Sequence, residues 1–232
     1  MKKPILIAVV FVMGITPLLH SQTTIRVIFG STTNVRNSYG GTSNTNSMLS
    51  AKFSNLRSSD SNSNTGIRWT RSSHFSATYN DRNQTASTQL NRLNTSSRLS
   101  GFRNRRNSTN ADLGQLYCDW TNGGILGFAN QPGAFSVVRN AVLGVMNTTL
   151  AGGIATVHEF GHSMNANHGQ GHCFGNNRRT LMHGGGCGPS NGNYRNVFSS
   201  PIRRFENVIT GNNSNNNRQR IRNRRGAASR LQ

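Results

Sequence analysis

Apolar and polar positions divide the chain into short segments of two periods. Ile25, Val27, Ile28 and Phe29, interleaved with Thr24 and Arg26, predict an opening strand that ends at Gly30. A polar loop through Tyr39, Gly40, Gly41 and Thr42 follows. Over residues 46–57, Met48, Leu49, Lys52, Phe53 and Leu56 recur at helical spacing, which predicts an amphipathic helix with one core face. Residues 67–79 read as one or two strands around Trp69 and Phe75, with an isolated His74 to which no role is assigned. Residues 81–110 read as short helices and loops anchored by Leu90, Leu93, Leu99 and Phe102. The basic run Arg103 to Arg106 lacks interleaved aromatics and reads as a solvated face.

Further on, residues 111–118 return to an apolar strand expected at the centre of a sheet. Residues 123–130 are Gly-punctuated and apolar, suited to an exposed edge strand that could take an extended peptide, and residues 135–139 form another short strand. Asn147, Thr148 and Thr149 supply helix-start chemistry, and the next helix is placed at about 153–164. A Gly-, Asn- and Cys-rich loop then reaches Gly188, Phe198 to Pro201 reads as a turn, and residues 216–225 predict a basic helix around Ile221 with a frayed end. No internal repeat or second domain is visible.

Two features change that picture. Lys2 and Lys3 before the apolar run from Ile5 to Leu19 read as a secretory signal peptide over residues 1–21, leaving 22–232 as one exported domain, with a C-terminal subdomain from about 169 and a polar basic tail from about 211. The chain of 232 residues carries 26 Lys and Arg against 6 Asp and Glu, a net charge of +20, and +18 once Lys2 and Lys3 are removed. Lys52 is then the one lysine, so the excess is arginine, suited to bidentate contact with carboxylate or phosphate. Acidic proteins, nucleic acid or an anionic surface are the partners such a charge attracts. Of three cysteines, Cys173 and Cys187 are the preferred disulfide, closing a loop around Met182, and Cys118 is left as a buried thiol or an intermolecular partner.

The chemistry concentrates at residues 158–168, HEFGHSMNANH. His158 and His162 fall one turn apart on one helix face, where both imidazoles can reach a single metal ion. Glu159 stands beside that face, placed to take a proton from a metal-activated water. A helix continued to His168 would carry its ring about 15 Å along the axis, against Zn–N bonds of about 2.0–2.1 Å. The helix must therefore stop and turn back. Asn165 stands where that turn is needed, and Asn tolerates the left-handed conformation that ends helices. Three histidines leave a fourth tetrahedral position open, the mark of a catalytic zinc. His172 and His183 are set aside as ligands.

With these residues in view, the sequence resembles the metzincin zinc endopeptidases, whose signature is HExxHxxGxxH with Asn accepted at the Gly position. Met182 stands where a Met-turn would lie. Within that group the chain is similar to the secreted reprolysin-like enzymes, including the peptidyl-Asp metallopeptidases, through residues 25–29, 111–113, 134–139, 179–182 and 198–201. The resemblance implies an α/β (α+β) zincin-like fold with a twisted mixed sheet, an active-site helix and a small C-terminal subdomain after the third His. It also implies one catalytic Zn²⁺ on His158, His162 and His168, Glu159 as general base and peptide substrates; a monomer is expected. Gly169 replaces an Asp common after the third His, and no tyrosine follows Met182 by two residues. Calcium binding stays open. The competing reading is a noncatalytic binder of anionic polymers on the same scaffold, against which Glu159 argues.

Overall fold

The computed structural model describes residues 22–82, 84–120, 127–139, 151–175, 177–184, 187 and 193–231. The expected signal peptide, the helix-start residues 147–149 and the first part of the 123–130 stretch lie outside the described residues.

In chain order the elements are β1 (Thr23–Ser31), α1 (Thr33–Ser38), α2 (Thr42–Ser63), β2 (Ile67–Arg71), β3 (Phe75–Ser76), α3 (Ala86–Thr95), α4 (Ser100–Ser108), β4 (Leu113–Cys118), β5 (Gly127–Ala129), β6 (Phe135–Arg139) and α5 (Ala151–Ser163). After α5 come β7 (Cys173–Phe174), β8 (Arg178–Arg179), β9 (Asn193–Tyr194), β10 (Arg204–Phe205), β11 (Val208–Ile209) and α6 (Asn217–Ala228). The main sheet runs β2-β1-β4-β6-β5, with β3 paired to the far end of β1. Its first four strands are parallel and β5 is an antiparallel edge. β4 thus lies between β1 and β6, the central place its apolar run predicts. This mixed α/β architecture, a mixed sheet with helices on both faces, agrees with the zincin-like fold that the resemblance implies.

Both faces of the sheet are covered, which is why β1 and β4 read as nearly continuous apolar runs. Ile25, Val27 and Phe29 of β1 point toward α2, α5 and α6, joining Leu49, Leu56, Val157, Phe160 and Ile221. Ile28, Leu116 and Cys118 point the other way, onto Leu90, Leu93 and Phe102 of α3 and α4. One polar residue sits in the middle of β4. Gln115 is fully buried and donates to Ser136 Oγ at 3.0 Å and to the Thr156 carbonyl at 3.2 Å, while Tyr117 OH pairs with Thr156 Oγ1. Each such bond contributes about 1 kcal/mol, and together they fix the rotation and height of α5 on the sheet.

Three local outcomes differ from the sequence expectation. Part of the loop after β1 is helix α1, capped by Thr32 Oγ1, which accepts from Val35 N–H. α2 extends beyond 46–57 at both ends, through Ser and Asn residues that carry no apolar period. Serine hydroxyls fold back onto carbonyls four residues earlier, as in Ser47 to Ser43 and Ser58 to Ser54, and Asn64 ends the helix at φ 51°. The chain end is packed: Leu231 rests on the main core and its N–H donates to the Ala228 carbonyl.

Most of the scarce carboxylates are taken up by the fold's own donors, and Glu206 pairs at the surface. Asp60 accepts from Thr65 and Ile67 N–H after α2, Asp81 from Thr32 Oγ1 at 2.6 Å, Asp112 from Arg26 N–H at 2.8 Å, and Glu206 pairs with Arg178 and Arg195. Glu206 offsets arginines at the surface, and the large remaining excess of arginine leaves that surface basic.

Candidate metal centre

Helix α5 presents His158 and His162 from its last turns, and a left-handed turn brings His168 back to them. Asn165 has φ 68°, its N–H donates to the His162 carbonyl, and Ala166 N–H reaches the Gly161 carbonyl, both at 2.8 Å. This pair of bonds is the Schellman closure of a helix. Asn167 then caps a short 3₁₀ turn over His168–Gln170 by accepting from Gln170 N–H at 3.0 Å.

The three rings converge through their Nε2 atoms. His168 Nε2 lies 2.9 Å from His158 Nε2 and 3.2 Å from His162 Nε2, with ring centroids 4.7–5.0 Å apart. Two of the opposite nitrogens are engaged by main-chain acceptors: His158 Nδ1 with the Leu181 carbonyl at 2.6 Å and His162 Nδ1 with the Ala166 carbonyl at 3.0 Å. Donating from Nδ1 leaves each Nε2 lone pair aimed at the common point. Nitrogens bonded tetrahedrally to zinc at about 2.0–2.1 Å stand about 3.3 Å apart, so the spacing fits one such ion.

Electrostatics point the same way. Burial lowers His158 to about 3 and His162 to about 4, reinforced in each case by a neighbouring histidine, and burial lowers His168 as well. Neutral imidazoles are the form that binds metals. Three lone pairs facing one another repel unless a cation lies between them. The residues present therefore fit a divalent ion.

Glu159 is buried, and burial pushes its carboxyl up to about 8. Its Oε2 has no hydrogen-bond partner among the described residues. Edge strand β5 passes directly over it: a Cβ at Gly127 would lie 2.5 Å from Glu159 Oε1. A buried carboxyl with an oxygen left unpaired among the described residues is costly to the fold and characteristic of functional sites.

Met182 is fully buried against α5, and a Cβ at Gly161 would meet its Sδ at 2.7 Å and the Phe198 ring at 3.0 Å. The glycine between His158 and His162 thus lets this floor rise to the helix. Cys173 and Cys187 form a disulfide around Met182. His183 lies beside its sulfurs, 3.3 Å from Cys173 Sγ, a grouping that offers no thiolate while the bridge stands. His172 stays outside the cluster. Cys118 is a buried free thiol pushed well above its ordinary range by burial, hence inert.

Sequence reasoning missed several contributors: the Leu181 carbonyl, Gly127 above Glu159, and Asn217 and Arg220, which grip the segment leading to His168. The segments that hold them are visible in the sequence, but the contacts are not. The capping residue of α6 is Asn216, next to Asn217, and marks where the helix starts without marking what its neighbour holds.

Among known proteins, a reprolysin-type model of metallo-peptidase family M12 matches residues 21–199. The structure of a chaperone-substrate complex aligns at a TM-score of 0.71 and 18% identity, covering 90% of this chain and 35% of that one. The chain thus spans about a third of that structure's length, and the likeness concerns fold alone. Archaemetzincin from Methanopyrus kandleri aligns at a TM-score of 0.40 and 15% identity, over 63% of this chain and 76% of its own. No curated protein matches. The matched stretch runs from before β1 to beyond the three convergent imidazoles, and on that extent the chain belongs to metallo-peptidase family M12.

Proposed function

We propose that the protein is a secreted zinc-dependent endopeptidase, with His158, His162 and His168 as ligands and Glu159 as general base. The observation that carries this reading is the meeting of three imidazoles, two of them oriented by main-chain carbonyls, with a buried carboxyl one residue along the same helix whose Oε2 has no partner among the described residues. Zinc held there would supply Lewis-acid activation of water and of the scissile carbonyl. Glu159 would accept the proton of the attacking water and pass it to the leaving amine. Burial holds its proton affinity high, as that shuttle requires, and a nearby cation favours its ionised form. Met182 would support the ligands from below, and the exposed edge of β5, with Phe128 43% exposed, would pair with an extended peptide.

Residues 1–21 would direct export. The basic surface suits acidic side chains near the cut bond; a peptide library cleaved with no enrichment of Asp or Glu around the scissile bond would remove that preference. The family match does not favour the polymer-binding alternative.

The decisive experiment is casein hydrolysis by purified protein, with chelator, with zinc restored, and with Glu159→Gln. Activity should vanish with chelator, return with zinc, and fall about 10²–10⁴-fold in the variant while zinc stays bound. Hydrolysis indifferent to both treatments would exclude the mechanism.

A further inference from the structure

Helix α6 lies some fifty residues beyond the histidine cluster in sequence, yet its first residues hold the segment that carries His168. Asn217 is fully buried, and its carboxamide faces the backbone of Asn167 as a strand would: Oδ1 accepts Asn167 N–H at 2.8 Å and Nδ2 donates to the Asn167 carbonyl at 2.9 Å. Arg220, one turn along, donates from Nε to the Asn165 carbonyl at 2.6 Å and from Nη2 to Asn165 Oδ1 at 3.0 Å. Its planar fork therefore spans the one residue whose left-handed backbone turns the chain back. The guanidinium also sits at the C-terminal end of α5, where the helix dipole favours a cation. Neighbouring bonds close the frame: Asn217 N–H donates to Ser199 Oγ, which donates to the Gln170 carbonyl, and Asn215 Nδ2 donates to the Gly171 carbonyl at 2.9 Å.

The three rings are not held alike. His158 and His162 stand on a helix and have their Nδ1 atoms engaged by carbonyls. His168 is exposed, on a three-residue turn, and among the described residues no carbonyl engages its Nδ1. Its ring goes where residues 165–170 go.

We propose that Asn217 and Arg220 are positioning residues for the third imidazole: by gripping Asn167 and Asn165 they keep His168 Nε2 at the point shared with His158 and His162. The inference rests on the metal-binding reading above, and it makes α6 part of the metal centre although none of its side chains touches the histidines. Partners bonded directly to a metal ligand weigh about 10–100-fold in metal affinity, which sets the upper scale for contacts one step removed.

The test compares the full-length protein with Arg220→Gln, Arg220→Lys, Asn217→Ala and His168→Ala. Zinc affinity is measured by chelator competition, ligand geometry by the visible spectrum of the cobalt(II)-loaded protein, and folding by circular dichroism of the metal-free protein. Arg220→Gln and Asn217→Ala should bind zinc more weakly, by up to about 100-fold. Their cobalt spectra should move toward that of His168→Ala, Arg220→Lys should recover part of the loss, and metal-free helix content should match wild type. Wild-type affinity and spectrum in both variants would overturn the proposal. So would an affinity loss that merely follows lost helix content and is not relieved by Arg220→Lys. A wild-type protein that binds neither zinc nor cobalt would instead sink the metal reading itself.

Discussion

Along β1 and β4 the backbone is held by apolar side chains packed on both faces of the sheet. From Asn165 to Gln170 it is held by amides, a hydroxyl and a guanidinium reaching in from residues 199–220. Apolar burial is non-directional and shared among many neighbours, so the sheet region tolerates small displacements. A hydrogen bond is directional and either made or lost. The part of the molecule that must place a ring to within tenths of an ångström is built from the second kind, on a base made of the first. Precision at the metal centre thus depends on a few polar contacts whose energies are small beside those of the core.

The largest effect expected from breaking this contrast lies in the apolar half. Phe29 is fully buried with edge-on contacts to Phe53, Tyr117 and Phe160. Phe29→Ala should cost about 3–5 kcal/mol in urea denaturation, while the molecules that remain folded keep their zinc affinity. A loss below about 1 kcal/mol would mean that the core is less tightly packed than described.

Acid probes the polar half. Metal-free protein carrying Glu159→Gln, which removes the carboxyl with the opposite response, should lose stability as pH falls from about 6.5 toward 3. His158 and His162 have folded values of about 3 and about 4, below the ordinary imidazole, so the unfolded chain takes up protons first in that window. A melting temperature flat across the window would show that these imidazoles are not held neutral by the fold.

Next in size is the bridge between Cys173 and Cys187, fourteen residues apart, which closes the loop presenting the Leu181 carbonyl and Met182. The double variant Cys173→Ser/Cys187→Ser should lose about 3 kcal/mol of stability, the chain-entropy value for a loop of this length. Chemical denaturation of wild type under reducing conditions should give the same figure, and a discrepancy would locate the effect in the serines.

Smallest is the turn. Asn165→Val should cost about 1–2 kcal/mol, the penalty of the left-handed region for a residue with a Cβ that cannot bond locally, and should weaken zinc binding as well. Asn165→Gly keeps the conformation and the Arg220 bond to the main-chain carbonyl but loses the Arg220 bond to Oδ1, and should melt close to wild type while still binding zinc less tightly. Equal zinc affinity in both variants and wild type would sever the turn from the metal centre.

Much of the fold was legible because burial leaves a one-dimensional trace. The apolar runs of β1 and β4 and the helical spacing of Leu49, Phe53 and Leu56 each predict an element that the structure contains, and β4 lies at the centre as expected. What was missed has no such trace. The ends of α2 run through Ser and Asn residues, with serine hydroxyls bonded back to their own turn, and α1 starts at a threonine cap, neither of which produces a period.

At the metal centre the division follows the same physics. By itself the sequence determined that two histidines share a helix face, that a third ten residues on can meet them only across a reversal, and that Asn165 can make it; these follow from helix pitch and backbone sterics, which are local. Tertiary structure alone decided that the Leu181 carbonyl would meet His158, that β5 would close over Glu159 at Gly127, and that Asn217 and Arg220 would hold the returning segment. Those contacts join residues 23 to 55 positions apart through single directional bonds and close approaches. Their partners are chosen by how the helices come to rest on the sheet, which no local pattern encodes.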